Sequence, residues 1–149
     1  MSTAANVHTL QLVLAQAERE RDAALLALQQ ATARAQTARA QASSLSQYQD
    51  EYQARWQGTF RGGSTGIETL QAYQGFGARL TDAIDQQGQL AGVLEARLQA
   101  ARAALAEKET RAASVRKLIE RRLAEVQAQA QRQEQKATDE FAQRAHRLR

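Results

Sequence analysis

Apolar residues recur along this chain at the alternating four-and-three step of a heptad, in two long series separated by one break. The first runs Leu10, Leu14, Ala17, Ala24, Leu28, Ala31, Ala35, Ala38, Ala42, Leu45, Tyr52 and Trp56, interrupted only at Arg21 and Gln49. The second resumes at Ile67 and continues through Leu70, Tyr73, Leu80, Ile84, Ala91, Leu94, Leu98, Ala101, Leu105, Ala112, Val115, Ile119 and Val126. Gly77 and Gln87 hold seam sites weakly, and Lys108 and Arg122 interrupt the seam. A heptad sustained this long signals a coiled coil rather than a short amphipathic helix.

The break is Gly58 to Gly66, GTFRGGSTG, where four of the eight glycines fall within nine residues. Glycine gives up helical order readily and accepts positive φ, so the cluster reads as a turn. The pattern predicts an all-α chain: two long helices in an antiparallel coiled-coil hairpin, a single unit over 1–149, the second helix longer with a C-terminal overhang. Helix 1 is expected at about 3–57, the turn at 58–66 and helix 2 at about 67–145. Ser64 or Thr65 is placed to cap helix 2, and Thr65 with Glu68 fits a capping box.

With residue 62 at the apex, position i faces roughly 124 − i, and the first arm spans on the order of 75 Å. Alanine fills most seam positions from Ala31 to Ala42, which brings the axes close but sacrifices apolar area, so this arm should be modest in stability. Gly88 and Gly92 share one face and would oppose Gln36 and Thr32, so close backbone approach is expected there rather than a flexible joint. Thr3 would face about Arg121. Beyond that point the helical pattern continues without a partner, and a polar, Gln-rich helix is marginal in isolation. It must fray or dock into another protein.

Composition narrows the picture. Aromatics make up 5% of the chain, too few bulky groups for a globular core but enough for a two-helix seam. There is no cysteine, hence no disulfide or thiolate chemistry. The start, MSTAANVHTL, lacks the basic and apolar regions of a signal peptide, and no segment approaches the roughly 20 apolar residues of a membrane span, so a cytoplasmic protein is expected. Net charge is +4, and residues 111–149 carry 10 basic and 5 acidic groups. That basic end admits a nucleic acid, an anionic surface or an acidic partner, though the interleaved acids argue against a dedicated nucleic-acid arm. Glu18, Glu20 and Asp22 among Arg19 and Arg21 read as a solvated face without a special role.

Candidate chemistry is sparse. No phosphate-binding loop accompanies the glycines, and His8 and His146 lie near opposite chain ends. Asp139 and Glu140 are adjacent and point to different faces of a helix, a poor catalytic pair. No enzyme activity, cofactor or metal is expected. What does stand out is an aromatic run: Tyr48, Tyr52 and Trp56 recur at a step of four beside the turn. Such a cluster can plug the end of the hairpin, serve as a docking surface, or do both, since tyrosine and tryptophan are favoured binding anchors.

Three segments converge on a family. LSQYQDEY ends the first arm, LQAYQGFGARLTDAIDQQ follows the turn, and the tail carries EQKATDEFAQR, with Glu134-Gln135-Lys136 and Asp139-Glu140 its most specific part. Together they resemble the flagellar export protein FliJ family over nearly the whole chain. The resemblance implies a two-helix antiparallel coiled coil, similar in shape to the central stalk of rotary ATPases. It implies insertion of the helix ends into the hexameric ring of the export ATPase FliI, where the tail residues Arg132, Glu134, Lys136, Asp139, Glu140 and Arg144 would bind. It further implies binding to the cytoplasmic domain of the export gate protein FlhA, and recruitment of export chaperones.

Carried over by position, the gate-binding stripe comprises Gln41, Leu45, Tyr48 and Tyr52 on the first arm and Phe76, Leu80, Ala83 and Gln87 on the second. Gln87 is its least typical member, and Gly75 and Gly77 beside Phe76 leave the helix there open to distortion. The expected protein is monomeric alone, binds no nucleic acid, does not insert into a membrane, and sits at the cytoplasmic side of the cell membrane at the flagellar base. A homodimerising spacer, a nucleic-acid binder and the equivalent stalk of a virulence secretion system are the competing readings.

Overall fold

The computed structural model describes residues 3–63 and 65–148. They form two helices, α1 (Thr3–Arg61, 59 residues) and α2 (Ile67–Arg147, 81 residues), paired as an antiparallel coiled-coil hairpin with the second helix longer.

The turn is shorter than the glycine cluster suggests. α1 continues through Gly58 to Arg61, leaving only Gly62 to Gly66 between the helices. Phe60 explains the extension. It continues the step of four set by Tyr48, Tyr52 and Trp56, and its ring lies 5.5 Å from Trp56 and 5.3 Å from Tyr73. Ring contacts of this kind offset the roughly 1 kcal/mol that a helical glycine costs. The Gly62 N–H donates to the Thr59 carbonyl at 3.3 Å, and Gly63 reverses the chain at a φ of 157°. α2 is headed by Gly66, whose carbonyl accepts the Leu70 N–H at 3.1 Å. The Thr65–Glu68 capping box makes no bond among the described residues, and Ser64 lies outside them.

A turn centred later shifts the pairing. Gln87 Nε2 donates to the Ala38 carbonyl at 3.2 Å and to Gln41 Oε1 at 3.1 Å, and Lys108 Nζ meets Glu20 Oε2 at 3.5 Å. Position i therefore faces about 128 − i, some four residues beyond the register expected from residue 62.

Contacts divide the chain into two compact units, one of Met1–Ala24 with Leu105–Arg149 and one of Leu25–Ala104. In the unit that carries the turn, Ala35, Ala38, Leu80 and Leu98 are buried. In the unit that carries both chain ends, Val7, Ala17, Ala112 and Ile119 are buried. Seven of these eight lie on the heptad series; Val7 extends it by one step. Half are alanines, as the seam pattern predicts for closely approaching axes.

The polar breaks in the seam are used. Gln49 Nε2 donates to Thr81 Oγ1 of the facing helix at 3.2 Å. Glu20 meets Lys108 and, at 3.7 Å, Arg111, while Glu18 meets Arg116 at 3.3 Å. Glu18 and Glu20 thus cross-link α1 to α2, which corrects the expectation of an idle solvated face, while Arg21 and Asp22 form a local ion pair at 3.0 Å. Exposed pairs of this kind add little to stability, and their main effect is to fix the register of the two helices. The Glu20 carboxyl is held below its ordinary range by the Gln16 amide first, then by Lys108 and Arg111.

α2 runs unbroken through Gly75, Gly77, Gly88 and Gly92. A Cβ built on Gly88 or Gly92 would meet nothing within 4 Å, so these two glycines do not serve close packing against Gln36 and Thr32. They point about a quarter turn or more away from the seam, because the seam passes through Gln87 and Leu94 instead. Gly88→Ala with Gly92→Ala should therefore stabilise the protein, by roughly 1–2 kcal/mol from helix propensity alone. A rise in the thermal midpoint followed by circular dichroism checks this; a fall would mean the glycines meet something the hairpin itself does not show.

Candidate functional site

The unit of the turn is closed by aromatic rings. Tyr52 lies at the centre, 4.9 Å from Phe76, 5.5 Å from Tyr73, 6.1 Å from Trp56 and 6.4 Å from Tyr48. Trp56 and Phe60 continue the cluster toward the turn, each within 5.5 Å of Tyr73. The step of four along α1 puts Tyr48, Tyr52, Trp56 and Phe60 on neighbouring turns, and Tyr73 and Phe76 enter between them from α2. This is the plug that the aromatic run foreshadows.

The same packing sorts the eight residues of the resemblance stripe. Leu80 is buried at 7% exposure and belongs to the seam. Leu45, Tyr52, Phe76, Ala83 and Gln87 are half-buried. Gln41 and Tyr48 are exposed, Tyr48 at 42%. The hairpin brings Tyr48 to Phe76 at 6.4 Å and Gln41 to Gln87 at 3.1 Å, so the two halves meet along one side of the helix pair. Gly75 and Gly77 do not distort it, because the helix continues through both.

The centre of the ring cluster and its exposed margin can therefore be told apart by single substitutions. Tyr52→Ala removes the hub of the ring cluster and should cost about 2 kcal/mol, since a half-buried aromatic carries roughly half the loss of a buried one. Tyr48→Ala, at the margin, should move the melting midpoint little. Denaturant unfolding of both variants gives the comparison, and equal losses would contradict the hub role of Tyr52.

In the other unit, every described residue from Leu123 to Leu148 is exposed. Arg132, Glu134, Lys136, Asp139, Glu140 and Arg144 all lie there. At 3.6 residues per turn, Arg132, Lys136 and Asp139 share a face, Glu140 stands beside it, Arg144 borders the reverse face, and Glu134 lies on the reverse. Gln135 Nε2 donates to Asp139 Oδ1 at 3.1 Å, and among the described residues no ion pair involves the six. The reverse face carries an apolar stripe that the polar composition conceals: Leu123, Ala130, Ala137, Phe141 and Leu148, at steps of seven, seven, four and seven. Phe141 is 75% exposed and Leu148 88%. Their seven-residue spacing was the available signal.

Chemistry of other kinds is not assembled. Among the described residues no group of acidic, histidine or cysteine side chains could hold a metal ion, and no helix is long and apolar enough to cross a membrane.

Compared with known families, residues 6–149 match the family described as Flagellar FliJ protein. No curated protein and no solved structure matches the chain significantly.

Proposed function

Because this chain belongs to the flagellar FliJ family, a non-enzymatic component of flagellar protein export, we propose that it is a non-catalytic stalk coupling the export ATPase to the export gate. The exposed C-terminal length of α2 carries this reading. A solitary helix of this composition is marginal in water, so an extension of some 26 residues with Arg132, Lys136 and Asp139 on one face and the stripe of Phe141 on the other suits a socket in another protein.

In this reading the FliI hexamer supplies the socket. Arg132, Glu134, Lys136, Asp139, Glu140 and Arg144 meet polar and charged groups lining the ring, and Phe141 and Leu148 fill apolar positions. A helix whose two faces differ cannot contact six equivalent subunits equivalently, so it favours an asymmetric ring. The gate protein FlhA is met by its cytoplasmic domain along Gln41, Leu45, Tyr48 and Tyr52 with Phe76, Leu80, Ala83 and Gln87. Within that set the exposed Gln41 and Tyr48 make the direct contact, while Tyr52 and Leu80 hold the surface in shape. Export chaperones released from cargo are recruited by the same protein. It works as a monomer, without cofactor or nucleic acid, at the cytoplasmic side of the membrane.

Co-purification with the ATPase and with the cytoplasmic domain of the gate protein, each separately, tests the reading. Retention of both by the intact chain is expected, and Tyr48→Ala should weaken gate binding by about tenfold while sparing the ATPase. Failure to retain either partner at micromolar concentration overturns it.

A further inference from the structure

The side of the turn unit that bears Tyr48 continues as a groove between the helices, away from the aromatic plug. One cleft of about 310 Å³ is lined by Ala33, Arg34, Thr37 and Ala38 of α1 with Leu90 and Leu94 of α2. A second, of about 570 Å³, shares Thr37 and Gln41 with it and adds Ala40, Ser44, Leu45 and Gln87. Along α1 the ridge Ala33, Thr37, Ala40, Ser44 steps four, three, four, and all four side chains are small. Along α2, Leu90 stands 47% exposed at the groove wall. Small side chains on one ridge and leucines on the other match the ridge-and-groove geometry that seats another helix at close range.

Charge is unevenly divided around the turn unit. Helical periodicity puts Arg34 and Arg55 of α1 and Arg79 and Arg97 of α2 on the groove side, with Glu51 the one acid among them. None of the four arginines takes part in an ion pair among the described residues. The reverse side holds Asp50, Asp85 and Glu95 against two arginines, Arg102 and Arg39, the latter already within 4.0 Å of Glu95, while Asp82 faces outward opposite the seam. The groove side is thus an apolar floor with an unpaired basic rim.

We infer that this groove docks an acidic amphipathic helix of a partner protein, with its apolar face on Leu90, Leu94 and the Ala33–Ser44 ridge and its carboxylates against Arg34 and Arg97. The groove covers about three helical turns of α1, enough for a partner segment of some 12 residues. A second copy of the chain docked groove to groove would set one basic rim against the other. A nucleic-acid backbone would use the arginines but leave the apolar floor without a counterpart. The inference rests on the docking reading of the adjoining stripe, with which it shares Gln41, Leu45 and Gln87, and it adds the chemistry of the partner and the residues Arg34, Leu90 and Arg97.

The test is selection from a displayed library of helical peptides with a fixed apolar heptad stripe and randomised flanking positions, against the immobilised full-length chain. Selected flanks should be rich in Asp and Glu. The best peptide should lose at least about tenfold in affinity to the Arg34→Glu, Arg97→Glu chain, and lose affinity with rising salt. Both arginines are exposed, and an unchanged circular dichroism melt certifies the variant's fold. Neutral or basic flanks, or selection that survives Leu90→Lys, overturn the inference. So do tight binding of a labelled oligonucleotide in place of peptide, and a doubling of mass in sedimentation that blocks peptide binding. Gate-domain binding to Tyr48→Ala, measured in parallel, reads the neighbouring surface. Its loss alongside neutral flanks would sink the acidic-helix inference while leaving the gate reading intact.

Discussion

A chain ending at Arg132 should melt like the intact protein and fail to stimulate the export ATPase. The first half follows from burial. No described residue between Leu123 and Leu148 is covered, so the truncation removes no seam contact and should change unfolding free energy by less than about 0.5 kcal/mol. The second half follows from what the removed segment holds: Lys136, Asp139 and Glu140 on the charged side and Phe141 and Leu148 on the apolar side. Binding to the gate domain should be unaffected, because Gln41 and Tyr48 lie in the other unit. Phe141→Ala in the full-length chain should give an intermediate result, with stimulation lowered about tenfold, if an exposed aromatic acts as the anchor that such residues commonly are. Steady-state ATP hydrolysis by the purified ATPase, with each variant titrated in, is the measurement. Full stimulation by the truncated chain would mean that the exposed end of α2 is not what the ATPase ring holds.

The seam was legible because coiled-coil pairing depends on one periodic quantity, the spacing of apolar residues, which any stretch of chain displays. Each heptad position named between Leu10 and Ile119 is buried or half-buried, apart from Ile67 and Leu70 beside the turn. What periodicity cannot report is where the reversal falls. Gly58 looks like part of the turn by propensity, and only the ring contacts of Phe60 keep it helical. That displaced turn moved the facing register, and with it the partners assigned to Gly88 and Gly92. The cross-helix pairs of Glu18 and Glu20 were hidden for the same reason: a charge on one helix acquires a partner only when the register is known. The stripe from resemblance was located by position alone. The heptad does separate Leu80, which lies on the seam, from Gln41 and Tyr48, which lie one position beside it; what spacing cannot give is how far the rings of the facing helix cover each of them.

Leu98→Ala should be the most damaging single substitution in the seam, at about 3 kcal/mol. Among the described residues Leu98 is the one large side chain that is fully buried, at 1% exposure. The residues it faces lie near position 30 of α1, in the stretch where Ala31 and Ala35 supply the seam. Alanine neighbours have no side-chain freedom with which to fill a void, so a cavity left there persists and the loss exceeds the bare transfer free energy. The helices can close it only by moving their axes together, and the buried Ala35 and Ala38 already hold them close. For a chain of this length the expected fall in melting midpoint is roughly 6–12 °C. Leu26→Ala is the control: Leu26 is 56% exposed, and its loss should cost under about 0.5 kcal/mol. Urea titrations of both variants decide the matter. Equal midpoints would mean that Leu98 is not enclosed between the helices and that the close-axis seam is misdrawn in the turn unit. A large loss confined to Leu98 would show that a hairpin built mainly on alanine rests its stability on few large side chains, which leaves most of its leucines free to meet partners.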